Sequence, residues 1–324
     1  MKNIWIAYSE TIFDEREKAL YQARNNLKGK TLSLIEEALT DQEYQVGSLN
    51  MDQPIHQFVE SLDPSRVDLV FNLAVKVSEI YDQAFLPSLL DATHIPYLGS
   101  NSTVHSLCLD RSLIKLSLRG IGIPSPSSFL LLPDDPVPES QTFPVIIKPR
   151  FRTHFPSITS DSVANDLDEL MAKIQALHKL TREKVLIEKY LEGREMVIGL
   201  WGNGKQLSML PILEVRHENS QVLQSSVKDV FCPADLNEEQ KTMLETMVIR
   251  IFNELNMRDY ASFHLIFNQK ENIPFFFEIN SLPLLYYKYS AFPQMCQAGG
   301  IDYKDMIRRL LTIAEERVGG RHDN

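Results

Sequence analysis

Residues 273–283 read Ile-Pro-Phe-Phe-Phe-Glu-Ile-Asn-Ser-Leu-Pro, an apolar run with a carboxylate, Glu278, and a carboxamide, Asn280, two positions apart near its end. Side chains alternate faces along an extended strand, so Glu278 and Asn280 point one way while Phe277 and Ile279 face the other. One carboxylate plus one neutral oxygen is what a Mg²⁺ ion escorting nucleotide phosphates takes from a protein, because the ion keeps waters and finds further ligands on the phosphates. A core strand that merely ends in polar residues would read the same way. The segment Asp259 to Phe267 adds a geometric check: paired with 273–280 as a hairpin centred near Lys270, it places Ser262, His264, Glu278 and Asn280 on one face. His264 thereby becomes a third candidate metal ligand, against the alternative of a hydrogen-bonded structural histidine.

Lys148 ends the apolar strand Pro144-Val145-Ile146-Ile147-Lys148 and is followed by Pro149, Arg150 and Arg152. A lysine leaving a buried strand can set a point charge on a phosphate held between two lobes, or it can simply reach solvent. The stretch Val185 to Glu195 carries a second pattern. An adenine ring needs an apolar slot with hydrogen bonds at its edge, and a strand running into a linker of Glu188, Lys189, Tyr190 and Leu191 supplies both. Glu195 just beyond can accept from both ribose hydroxyls. An edge strand plus a turn fits the same residues.

These groups need elements to carry them. Ile4–Tyr8 and Val67–Ala74 read as buried strands, with a charged helix over Arg16–Leu39 and helical spacing over Asp82–Thr93, an alternation that suggests a parallel, doubly wound sheet. A helix is expected over 103–120, closed by Gly120-Ile121-Gly122-Ile123-Pro124, and another over Asp166–Leu180. Neighbouring strands follow at Val185–Lys189, Glu195–Trp201 and Gln206–Leu213, with Asn203-Gly204 as a hairpin signal between the last two. Helices over Asn237–Leu255 and Tyr303–Val318 flank the strand pair of the first paragraph. At 324 residues the chain is too long for one compact core.

Its net charge of -10 argues against nucleic acid or an anionic membrane as a partner, so any phosphate site must be a local basic pocket. No apolar run approaches a membrane span. Cys108, Cys232 and Cys296 are too scattered for a disulfide framework or a zinc site, and a reducing cytoplasm is expected.

Taken in order, Val70-Phe71-Asn72-Leu73-Ala74, Ile95 to Ser100, Leu109-Asp110-Arg111 with Lys115, Gly122-Ile123-Pro124, Pro144 to Pro149, Leu186 to Glu195, Phe231 to Ala234, Arg258 to Ala261, Glu278 to Pro283 and Ala298 to Tyr303 resemble the D-alanine–D-alanine ligase branch of the ATP-grasp superfamily. The resemblance implies a mixed α/β and α+β chain with the ATP-grasp fold: a doubly wound N-terminal domain over residues 1–102, a central lobe over 103–182 and a C-terminal lobe over 183–324. It further implies an ADP-forming carboxylate–amine ligase with ATP and Mg²⁺, or Mn²⁺, as cofactors, an amino acid or other small carboxylate as substrate, an acyl-phosphate intermediate and a homodimer. Carried over by position, Arg111 and Lys148 hold phosphates, Glu188 to Leu191 line the adenine slot, Glu195 binds ribose, and Glu278 with Asn280 binds the metal. Lys228 falls where the family has a phosphate-reaching lysine, and Glu15 or Glu17 where it has an amine-orienting glutamate.

Departures accompany the matches. The family's glycine-rich phosphate loop is here Phe151-Arg152-Thr153-His154-Phe155-Pro156-Ser157, without glycine, and Pro156 has no amide to donate. Ser262 and His264 stand where the family has an arginine that steadies the transferring oxygens and a metal-binding aspartate. Arg150 or Arg152 is then the expected replacement charge, and imidazole suits manganese, iron or zinc better than magnesium. Leu284 replaces a glycine beside the acceptor pocket, which points away from a D-alanine dipeptide as product. Two readings follow: a ligase turned to another substrate, or a degenerate protein that binds nucleotide or a partner without turnover.

Overall fold

The computed structural model describes residues 2–9, 25–40, 44–77, 82–152, 160–216 and 229–320. Glu15, Glu17, Lys228 and residues 153–157 of the glycine-free loop lie outside them.

Burial alternates along Asn3–Tyr8 (β1), with Ile4 and Ile6 in one core and Ala7 in another. A strand buried on both faces belongs in the middle of a covered parallel sheet. Accordingly β1 pairs in parallel with Gln45–Asn50 (β2) on one side and Leu69–Asn72 (β3) on the other. Ile35, Ala38 and Leu39 of Asn25–Thr40 (α1) cover one face. Phe58 of Ile55–Val59 (α2) and Leu86 and Leu90 of Phe85–Ala92 (α3) cover the other.

The single helix expected over 103–120 is two helices, Ser102–Leu109 (α4) and Arg111–Gly120 (α5). Asp110 between them is extended at φ -88°, ψ 102°, and its carboxylate accepts from the amides of Ser112 and Leu113. An aspartate cap of this kind stabilises a helix start by ~1 kcal/mol, enough to favour a new helix over continuing the old one.

A four-stranded antiparallel sheet follows, made of Ser128–Leu131 (β4), Val145–Pro149 (β5), Val163–Ala164 (β6) and Val185–Lys189 (β7) in the order β4-β7-β5-β6. Leu170, Ile174 and Leu177 of Leu167–Thr181 (α6) back it. The larger sheet holds Arg194–Trp201 (β8), Ser208–Met209 (β9), Leu213–Arg216 (β10), Asp229–Phe231 (β11), Tyr260–Asn268 (β12) and Ile273–Asn280 (β13). Its order is β11-β10-β8-β12-β13, with β9 also on β8. The strand expected over Gln206–Leu213 is thus a 3-10 turn at Gly204–Gln206 and two short strands. Pro211, which has no amide for a ladder, sits in the break.

Glu238–Glu254 (α7) starts at an Asn237/Gln240 capping box and packs on the large sheet, while Ala291–Ala298 (α8) and Tyr303–Gly319 (α9) share a core with β1 and α1. One buried knot joins the parts. Asp259, at φ 64°, accepts from the Gly99 amide (2.7 Å), Asn203 Nδ2 (2.9 Å) and both Nε (2.7 Å) and Nη2 (2.8 Å) of Arg317 on α9. No helix among the described residues is long and apolar enough to cross a membrane.

Candidate functional site

A cavity of about 540 Å³ opens between the four-stranded and the larger sheet. Ile146 and Lys148 reach it from β5 and Glu188 from β7, because these positions share one sheet face: Ile146 is directly opposite Glu188. Leu191, Val215, Ile266 and Phe277 add apolar walls, and Lys189, Tyr190 and Glu195 also line it. Glu195 lies on β8 opposite Val215 and Ile266, so all three face the same space. The linker's backbone is partly committed, the Lys189 amide to Ser127 O (2.9 Å) and the Tyr190 amide to Pro144 O (3.3 Å). Where the linker enters β8, Gly193 is required by contact: a Cβ there would stand 2.5 Å from the Phe267 carbonyl oxygen.

Glu188 is part of strand β7 rather than of the linker that follows, and it is buried. Lys148 Nζ donates to its Oε1 at 2.6 Å, and Lys115 Nζ stands 2.8 Å from its Oε2. Burial alone would raise the carboxyl of Glu188, but the two ammonium groups outweigh it and hold it below the usual range.

The β12–β13 pairing sets Ser262 opposite Asn280 and His264 opposite Glu278, then shifts register between His264 and Leu265. Phe277 is the extra residue of that bulge. A bulge turns two consecutive side chains to one face, so Phe277 lines the cavity together with Ile266 instead of facing the core, as simple alternation would have it. Lys148 Nζ lies 5.2 Å from the Phe277 ring centroid, and the His264 ring meets Phe277 edge-on at 6.1 Å.

The two arginines after Lys148 part company. Arg150 turns to Asp110, its Nε 2.9 Å and its Nη2 2.7 Å from Oδ2. Arg152 reaches Glu278, with Nη2 3.1 Å from Oε1, and donates to Ile279 O at 3.3 Å. Arg111 Nη2 stands 3.9 Å from the second oxygen of Glu278 and its Nη1 donates to the carbonyls of Pro149 (3.0 Å) and Phe151 (3.1 Å). Burial would raise the Glu278 carboxyl, yet Arg152, His264, Arg111 and Lys148 together hold it at about 2, so it is ionised at neutral pH.

The donor chemistry fits a hard divalent ion brought in on phosphates. Glu278 is an ionised carboxylate, and the side-chain Oδ1 of Asn280, which accepts from the Leu282 amide at 3.1 Å, has a second lone pair to offer. Among the described residues no cluster of three or more His, Cys, Asp or Glu could hold a metal without such help. Ser262 is buried on the same face.

Sequence reasoning gave no site role to Phe277, to Lys115 or to Arg216, which lines the cavity and whose guanidinium lies 4.1 Å from the Phe231 ring centroid. A bulge leaves no mark in residue types, and Lys115 reads as an ordinary helix lysine until Glu188 is brought to it.

Comparison with known proteins supplies the last observations. Residues 134–312, more than half of the chain, match the family model described as D-ala D-ala ligase C-terminus. An uncharacterized protein of Sinorhizobium fredii is 27% identical over 261 residues, 78% of this chain and 76% of that one. A D-alanine–D-alanine ligase of Hydrogenovibrio crunogenus is 25% identical over 257 residues, 74% of this chain and 80% of its own. In fold, the chain superposes with a TM-score of 0.79 on the crystal structure of the D-alanine–D-alanine ligase from Bacillus anthracis complexed with ATP, at 18% identity, with 99% of this chain and 100% of that one covered.

Proposed function

We propose, from the premise that this chain belongs to the D-ala D-ala ligase C-terminus family and is an ATP-grasp ligase, that it joins a small carboxylate to an amine through an acyl phosphate, with ADP and phosphate released. The observation that carries this reading is that Lys148 and Glu195 line one cavity between two sheets together with Phe277 of β13, and that the ionised Glu278, next along that strand, feels the charge of Lys148. We divide the work as the sequence suggests: an N-terminal substrate domain to residue 102, a central lobe to 182 and a C-terminal lobe beyond. Ile146, Leu191, Ile266 and Phe277 form the apolar slot for an adenine, and Glu195 is placed for the ribose hydroxyls. Lys148, Arg111 and Arg152 supply positive charge where a triphosphate would extend toward β13. In phosphoryl transfer such positioning and charge neutralisation carry most of the catalysis.

Glu278 and Asn280 would hold Mg²⁺, which supplies neutralisation of phosphate charge when bound. His264 stands opposite Glu278 as a softer donor that favours Mn²⁺. Arg152, which now pairs with Glu278, is the candidate to meet the transferring oxygens in place of an arginine at position 262. Leu284, where the family has glycine, adds a side chain beside the acceptor pocket, so the substrate is an amino acid or small acid other than D-alanine. We place the enzyme in the cytoplasm, where its cysteines stay unpaired.

The test is ADP release over pooled amino acids and small acids, with Glu278→Ala as the control. Substrate-dependent ADP that disappears in the control supports the ligase. A second reading, nucleotide binding without turnover, is favoured by the two arginines already seated on Glu278. It wins if clean protein binds ATP and no pool yields ADP.

A further inference from the structure

Lys115 on α5 has no part in the mechanism above, and its burial is unusual. Its side chain has no solvent exposure, a state that lysine almost never adopts without a partner. The ammonium stands 2.8 Å from Glu188 Oε2, 3.0 Å from the Phe277 carbonyl oxygen and 3.4 Å from that of Arg111. All three are electron-rich oxygens and none can donate a proton, which favours the charged amine. Burial lowers its proton affinity; Glu188 works against that and the like charge of Lys148 adds to it.

Glu188 is therefore shared, with Lys148 on Oε1 and Lys115 on Oε2. Lys148 and Glu188 alone would sum to zero, and a lysine neutralised at 2.6 Å offers an incoming phosphate little attraction. With Lys115 the trio carries one surplus positive charge. Lys115 is sealed from solvent and does not line the cavity, whereas Lys148 does, so the surplus is felt at Lys148. The same ammonium accounts for the Phe277 carbonyl at the bulge, where the ladder is interrupted.

We propose that Lys115 is a positioning residue that cancels Glu188 from behind, so that Glu188 can hold Lys148 in place without extinguishing the charge Lys148 presents to a nucleotide phosphate. This rests on the reading that Lys148 meets phosphates.

The experiment is calorimetry with ADP and with adenosine. The ratio of the adenosine to the ADP dissociation constant isolates the phosphate contribution from whatever the base loses. Lys115→Met is expected to lower that ratio about ten- to a hundredfold, as for unit charges several ångströms apart at an effective dielectric near 20. Lys115→Met combined with Glu188→Gln removes one charge of each sign and is expected to recover most of it. Glu188→Gln alone should raise the ratio above wild type. A purely structural lysine would leave the ratio unchanged in Lys115→Met, because lost stability weakens adenosine and ADP binding alike.

Lys148→Met separates the two levels of the argument. If it collapses the ratio while Lys115→Met leaves it unchanged, or if the double variant fails to recover, the role of Lys115 is overturned and that of Lys148 stands. If neither single lysine variant changes the ratio, the phosphate reading of Lys148 falls, and this inference with it. Should Lys115→Met fail to bind adenosine at all, Glu188→Gln decides: a raised ratio supports the proposal, and an unchanged or lowered one overturns it.

Discussion

Replacing Glu278 by glutamine keeps shape and removes charge. The carboxylate has Arg152 at 3.1 Å and Arg111 at 3.9 Å, and its carboxyl is lowered from the usual 4.5 to about 2. Because the folded value lies below the unfolded one, the associated stability is fully present above pH 4.5 and is lost as pH falls toward 2. At 1.36 kcal/mol per pH unit the ionised group contributes about 3 kcal/mol at neutral pH. Chemical denaturation of the nucleotide-free protein should therefore show Glu278→Gln less stable than wild type by about 3 kcal/mol at pH 7, with roughly 1 kcal/mol of that gap gone by pH 3.5. The variant has no carboxylate to titrate at this position, so its own curve should be flatter over the same interval. A gap below about 1 kcal/mol, the size expected of an exposed ion pair, would refute the reasoning. So would a gap that does not change between pH 7 and pH 3.5.

Asp259→Ala strips the half-buried Arg317 of its carboxylate, and removing one partner of a largely buried pair costs about 3 kcal/mol, to be read as a large drop in melting temperature; a change of a degree or two would contradict the knot's importance. His264→Asp puts a carboxylate opposite Glu278 and is expected to preserve or raise Mg²⁺-supported ADP release relative to Mn²⁺. If the variant instead loses its near-ultraviolet circular dichroism, the histidine serves packing on Phe277.

Much of the site could be read from residue types because strand parity is a local property. The alternation that grouped Ser262, His264, Glu278 and Asn280 depends only on a hairpin, and the observed register preserves it up to the bulge. Lys148 and Glu195 sit on strands whose apolar runs announce them. What escaped has a different cause. Phe277 was assigned to the wrong face because one inserted residue reverses parity with no compositional sign. The helix break at Asp110 escaped because apolar spacing continues through it, and what ends the first helix is a carboxylate held by Arg150, forty positions on. The strand Gln45–Asn50 is too polar to stand out and owes its existence to pairing with β1. Lys115 could be assigned only when Glu188 and the Phe277 carbonyl, far along the chain, were brought to it.

The bulge in β13 binds two recognition tasks to one length of chain. Phe277 and Glu278 are successive residues, yet one walls the cavity and the other, in the proposed ligase, is the acid that would be offered to the cation. Losing a residue there would restore strict alternation and turn one of the two away, so neither contact can be retuned by insertion or deletion without disturbing the other. On the proposed function, substrate preference would be freer to diversify in the segment after Pro283, which lies beyond that shared strand.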